Sequence, residues 1–157
     1  MIGFSNVAPL RSLATALGLS ALFIVADAGI TIRAQSPVPV PLELRSVMRE
    51  MRADLQAVTE AIALEDWARV ASLAPRIGDH RKPSVEERTR IMEFLGQEAI
   101  KFKSSDDAVH EAADTMQQAA ERKDGRAVIG AFAAIQNACL GCHQSFRGPL
   151  IKHFYRN

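Results

Sequence analysis

The chain has 157 residues, 24% charged and 48% hydrophobic, which is room for one domain and not two. Its 19 Lys and Arg against 18 Asp and Glu leave a formal net charge of +1, without the basic excess that would mark nucleic acid as a partner. Strong β-formers are sparse beyond the N-terminal region, which argues against an all-β fold, and two cysteines are too few to staple a miniprotein.

The N-terminus reads as a targeting segment. Arg11 gives it a positive start, Leu13 to Val25 is an uncharged apolar stretch of 13 residues, and Ala26-Asp27-Ala28 is a small-x-small site. This is the layout of a secretory signal peptide, and the stretch falls short of the about 20 apolar residues a membrane span needs. We expect residues 1–28 to be removed, with cleavage as late as Ala34 the alternative, leaving no stable membrane insertion. The mature chain is then exported, most simply to a bacterial periplasm. Residues 29–41 hold Ser36-Pro37-Val38-Pro39-Val40-Pro41, whose alternate prolines fix φ and keep their neighbours extended. They form a stiff lead-in to a domain over 42–157.

Within that domain the apolar residues recur at helical spacing. Leu44, Met48, Met51, Leu55, Val58 and Ile62 alternate steps of four and three, which predicts a helix over 42–63 of roughly 33 Å. A shorter helix is predicted from Asp66 to Ala74, with Trp67, Val70, Ala71 and Ala74 inward and Pro75 limiting it. Ser84-Val85-Glu86-Glu87 has the capping-box pattern and opens a helix carrying Ile91, Phe94 and Leu95, with Ile100 and Phe102 beyond. Ser104-Ser105-Asp106-Asp107 offers N-cap residues for a further helix with Val109, Ala112, Ala113, Met116 and Ala120 facing the core. After Lys123-Asp124-Gly125 a last helix holds Val128, Ile129, Phe132, Ile135, Cys139 and Cys142 and is expected to stop before Gly148-Pro149. Four substantial helices with short connections predict an all-α antiparallel four-helix bundle.

Both cysteines fall in Cys139-Leu140-Gly141-Cys142-His143, the C-x-x-C-H attachment signature of a c-type haem. Two thiols must reach two vinyl groups on one porphyrin edge, and the imidazole must reach the iron from the same side. Positions i, i+3 and i+4 of a helix share a face, so the three side chains point one way. A redox dithiol would sit at a helix N-terminus in a βαβ setting, whereas this motif ends a long helix. A zinc site would want a second ligand pair beside the cysteines, and none accompanies them.

A C-x-x-C-H on the last helix of an exported all-α chain resembles class II cytochrome c, the cytochrome c′ family. The likeness extends to Phe146 and Arg147, an aromatic and a base three and four residues after the histidine. It implies a bundle with one covalent haem c between the helices and His143 as the proximal iron ligand. Leu44-Arg45-Ser46-Val47-Met48 resembles the low-spin subgroup, in which a methionine of the first helix fills the sixth position. Met48 takes that place and Met51, one turn on, is the alternative; an open sixth position is the other outcome. An arginine usual in the family four residues before the ligand is Leu44 here, so propionate contacts pass to Arg45 or Arg49, with Arg147 a further candidate at the haem edge. Met92 and Met116 read as core, Trp67, Phe132 and Phe146 as core or haem-packing aromatics, and His80, His110 and His153 as surface residues.

Two functions follow. His/Met ligation makes an electron carrier working with redox partner proteins, whereas a five-coordinate haem binds NO or CO. No acid–base pair for an enzyme can be placed, and the resemblance admits a homodimer through the first helix. Met48 favours the carrier.

Overall fold

The computed structural model describes residues 42–155; the expected signal peptide and lead-in lie outside them. Six α-helices follow one another: α1 (Leu44–Ala63), α2 (Trp67–Gly78), α3 (Val85–Leu95), α4 (Ala99–Glu121), α5 (Gly125–Cys142) and α6 (Gly148–Tyr155). The predicted all-α four-helix bundle is formed by α1, α2, α4 and α5, packed α1 on α2, α2 on α4 and α4 on α5. The fourth side, between α1 and α5, is not closed by a comparable approach of the two backbones.

Two helix hairpins are built alike. Two residues past the ends of α1 and α4 the backbone turns left-handed, at Glu65 (φ 53°) and Lys123 (φ 57°), each followed by an aspartate. Asp66 and Asp124 cap the next helix, accepting from the amides of Arg69 and Ala127 at 3.0 Å each. Gly125 is needed where α5 begins, because a Cβ there would lie 2.8 Å from the Trp67 ring.

The bundle core is aliphatic and rich in alanine, with Val47, Val58, Ile77, Met116, Val128 and Ile135 fully inside. On α1 the deepest line runs Val47, Met51, Asp54, Val58 and Ala61, one residue round from the centre of the predicted stripe. Met48, Leu55 and Ile62 form a half-buried edge of that line. Asp54 is admitted because Arg76 of α2 pairs with it at 2.6 Å.

A second cluster caps one end of the bundle. Leu42, Ile91, Phe146 and Leu150 form it, with Leu44, Phe94, Phe102, Cys142 and Tyr155 packed around them. Here α1 and α3 exchange caps. Glu87 accepts from the amides of Glu43 and Leu44 at 2.6 and 2.7 Å, while Glu43 accepts from the Ser84 amide at 3.2 Å. The Ser84 hydroxyl keeps its predicted role, accepting from the Glu87 amide at 3.4 Å.

Three predicted boundaries move. α2 runs past Pro75 to Gly78, since the fully buried Ile77 rewards the added turn despite the missing N–H. The break after α3 falls at Gly96 (φ 51°) and a 3₁₀ turn over Gly96–Glu98, not at Ser104, and Ile100 is 81% exposed rather than inward. The would-be cap residues are occupied elsewhere: Ser105 donates to the Lys101 carbonyl, Asp107 binds Lys103 and Asp106 binds His80. The last helix does not stop before Gly148-Pro149; a π-turn over His143–Arg147 leads into α6. That wider turn lies just ahead of Pro149, where the regular ladder would lose a donor.

Candidate functional site

Val128, Ala131 and Ile135 bury one face of α5 and so fix where its last turn points. That turn carries Cys139 and Cys142, both free and half-buried. Cys139 packs against the bundle core and Cys142 against the second cluster, so the two thiols straddle the seam between them. Burial pushes both thiols above the usual cysteine range, and for Cys142 the charges of Cys139 and Asp106 add to it. A Cβ on Gly141, between them, would meet nothing within 4 Å. His143 opens the π-turn and is exposed, while Phe146 at its far end is buried against Phe102, ring centroids 5.3 Å apart.

The open side of the bundle lies between this helix and α1. Half-buried against the core are Met48, Leu55, Ala57 and Ile62 from α1, and Ala127, Phe132, Ala138 and Cys139 from α5. Met51 is deeper, 7% exposed, and borders a polar cleft with Glu50, Asp54, Arg76, Asp79, His80 and Arg81. Of the candidate arginines, Arg45 lies with its guanidinium carbon 6.0 Å from the Tyr155 ring centroid, at the second cluster. Arg49 and Arg147 are exposed, and neither forms an ion pair among the described residues. Met116 is fully buried as predicted, and Met92 packs half-buried on the second cluster.

Two histidines depart from expectation. The side chain of His80 is only 8% exposed and that of His110 27%, because both turn towards Asp106 instead of solvent. His153 is exposed but lies flat on Phe94, centroids 4.0 Å apart. Asp106 and His110 are four apart on α4, a spacing visible in the sequence; His80 comes from the α2–α3 connection, and nothing local announces it.

A family model described as cytochrome C′ matches residues 43–147, from the start of α1 through the whole Cys139–His143 motif to Arg147. The chain belongs to the cytochrome c′ family. It is a haem-binding c-type cytochrome, and its cofactor is haem c with its iron. No curated protein and no solved structure gives a significant match. The residues present fit that group: two thiols at one seam, an imidazole one residue on, and an apolar side of the bundle that its own helices leave unclosed. No described helix of this cytochrome is long and apolar enough to cross a membrane.

Proposed function

We propose that this cytochrome c′ family member is a periplasmic carrier of single electrons, and not an enzyme, with one haem attached through Cys139 and Cys142. His143 and Met48 would hold its iron. When bound, the haem iron supplies a one-electron ferric–ferrous couple. What supports the reading is that α1 and α5 make no comparable backbone approach and that Met48 of α1 and Cys139 of α5 are both half-buried against the core.

Each residue has a part that follows from its chemistry. The two thiols tether the porphyrin edge, and His143 offers a neutral imidazole nitrogen. Met48 offers a soft, neutral thioether that favours ferrous iron and blocks the position where NO or CO would bind. Met51 fits less well, because it borders a charged cleft that contains neither cysteine. Leu55, Phe132 and Phe146 keep water from the site, and Arg45, Arg49 and Arg147 are the cations near enough in sequence to its edges to balance propionates. Export is supported by the apolar stretch and Ala26-Asp27-Ala28 at the N-terminus.

The test is the thioether-to-iron charge-transfer band at the red edge of the ferric spectrum. Wild type should show the band and stay low-spin in both oxidation states. Met48→Ala should lose it, become high-spin and bind CO rapidly, while Met51→Ala keeps it. Loss of the band in Met51→Ala alone moves the ligand one turn along. A wild type already high-spin and binding CO replaces the carrier with a gas-binding protein.

A further inference from the structure

Outside the haem-attachment motif, three nitrogen and oxygen donors converge on one point. His80 Nε2 lies 3.0 Å from Asp106 Oδ1, and His110 Nε2 lies 3.5 Å from Asp106 Oδ2. One donor atom from each residue falls within 4.8 Å of the other two. We propose that His80, Asp106 and His110 form a binding site for a divalent transition-metal ion of the zinc class, separate from the haem iron.

The tautomer of His80 is the first argument. Its Nδ1 faces the Arg81 carbonyl at 3.2 Å, and a carbonyl only accepts, so this contact is a hydrogen bond when the ring proton sits on Nδ1. The lone pair on Nε2 then points at a carboxylate oxygen, which is also only an acceptor. In that tautomer two acceptors face each other at 3.0 Å, and a proton or a metal ion between them satisfies both. A proton serves this need for one imidazole. The second imidazole, aimed at the other oxygen of the same carboxylate, makes the arrangement a donor set.

Spacing is the second argument. Zinc–nitrogen and zinc–oxygen bonds of about 2.0–2.1 Å in a tetrahedron put neighbouring donors about 3.3 Å apart. The His80 Nε2–Asp106 Oδ1 separation of 3.0 Å lies close to that edge, and one donor atom from each of the three residues is within 4.8 Å of the other two. Two imidazoles and a carboxylate suit zinc and its neighbours in the transition series, not calcium or magnesium, which take oxygen ligands. Three protein ligands leave a fourth position for water.

The donors are also held in place. Asp106 and His110 sit one turn apart on the well-packed α4, whose Val109 and Ala113 are buried. The connection bearing His80 is pinned to α1 by Arg81, which donates to the Ser46 hydroxyl at 2.6 Å and pairs with Glu50 at 3.4 Å. Behind the donors, the Arg81 carbonyl holds His80 Nδ1, and Asp79 Oδ1 stands 4.0 Å from His110 Nδ1. Carbonyls and carboxylates behind the ligands are how proteins orient metal-binding imidazoles.

The experiment uses the untagged, haem-loaded protein after chelator treatment, with Zn²⁺ alone as the probe. Calorimetric titration should show one Zn²⁺ per chain, and zinc-edge absorption should show two imidazole nitrogens and a carboxylate oxygen at about 2.0–2.1 Å. His80→Ala, His110→Ala and Asp106→Asn should each weaken binding at least about 100-fold, while His153→Ala leaves it unchanged. Melting curves without metal check that each variant folds; Asp106→Asn keeps the side chain's volume and is the variant to rely on if an alanine replacement unfolds. A wild type that takes up no zinc overturns the proposal. So does zinc binding that survives in Asp106→Asn or in both histidine variants.

Discussion

The two apolar clusters of this cytochrome are made differently, and the cysteine motif lies where they meet. In the bundle core the helices are drawn together by small residues: Ala61, Ala74, Ala112, Ala113, Ala119, Ala120 and Ala131 are all buried. A Cβ on Gly78 of α2 would come within 3.1 Å of the Ala113 Cβ on α4. In the second cluster the contacts are large aliphatic and aromatic side chains reaching over from separate segments, among them the start of α1, α3, the first turns of α4, and the π-turn with α6. Tyr155 closes it by accepting from the Leu42 amide at 2.8 Å. Close approach of backbones makes the first cluster rigid and intolerant of added volume, whereas the second depends on a few side chains filling a wider space.

The largest effect should come from emptying that wider space. Phe146 is 4% exposed and meets Phe102 edge-on, so Phe146→Ala should cost about 3–4 kcal/mol in chemical denaturation of the haem-loaded protein. Phe146→Leu should restore more than half of that. An equal loss from both variants would mean that ring geometry, not volume, holds the cluster.

The bundle core should respond to the opposite change. Ala113 is 1% exposed and faces the end of α2, so Ala113→Leu should destabilise by about 1–3 kcal/mol through overpacking. At Ile100, which is 81% exposed, the isomeric swap Ile100→Leu adds no volume and should alter stability by less than about 0.5 kcal/mol. If Ala113→Leu is as mild as Ile100→Leu, the alanine-lined interface has slack and the contrast between the clusters fails.

The same contrast explains what the sequence revealed. Periodic apolar spacing made α1 and the core face of α4 legible, and the start of a helix near Asp66 and the connection at Lys123-Asp124-Gly125 were legible too. The second cluster was hidden because its pieces obey no single period. Gly96 breaks the chain by a left-handed φ that no neighbour signals, and Pro149 reads as a helix stop although a π-turn carries the chain past it. Cys139, Cys142 and His143 were legible because the attachment chemistry fixes their spacing within five residues. The His80–Asp106–His110 group was not, since it joins a connection to a helix 26 residues further on.

That group also yields the smallest effect, and the one whose sign separates a proton from a metal. The hydrogen bond to Asp106 is the main cause that lifts His80 above its ordinary 6.5, outweighing burial. The same bond holds Asp106 below its ordinary 3.8. His110 from α4, Lys82 and Arg81 from the connection, and Asp79 at the end of α2 are the other charged groups around the pair. A raised histidine contributes stability fully present below 6.5 and lost as pH rises through its folded value. A lowered carboxylate contributes stability present above 3.8 and lost as pH falls through its folded value. The pair therefore helps most between those two ordinary values. In chelator, the melting-temperature difference between wild type and His80→Gln should shrink as pH climbs above 6.5. With Zn²⁺ present the trend should reverse, because metal binds the deprotonated imidazoles and stabilises more as protons leave. Identical curves with and without zinc would leave the proton as the cation between His80 and Asp106.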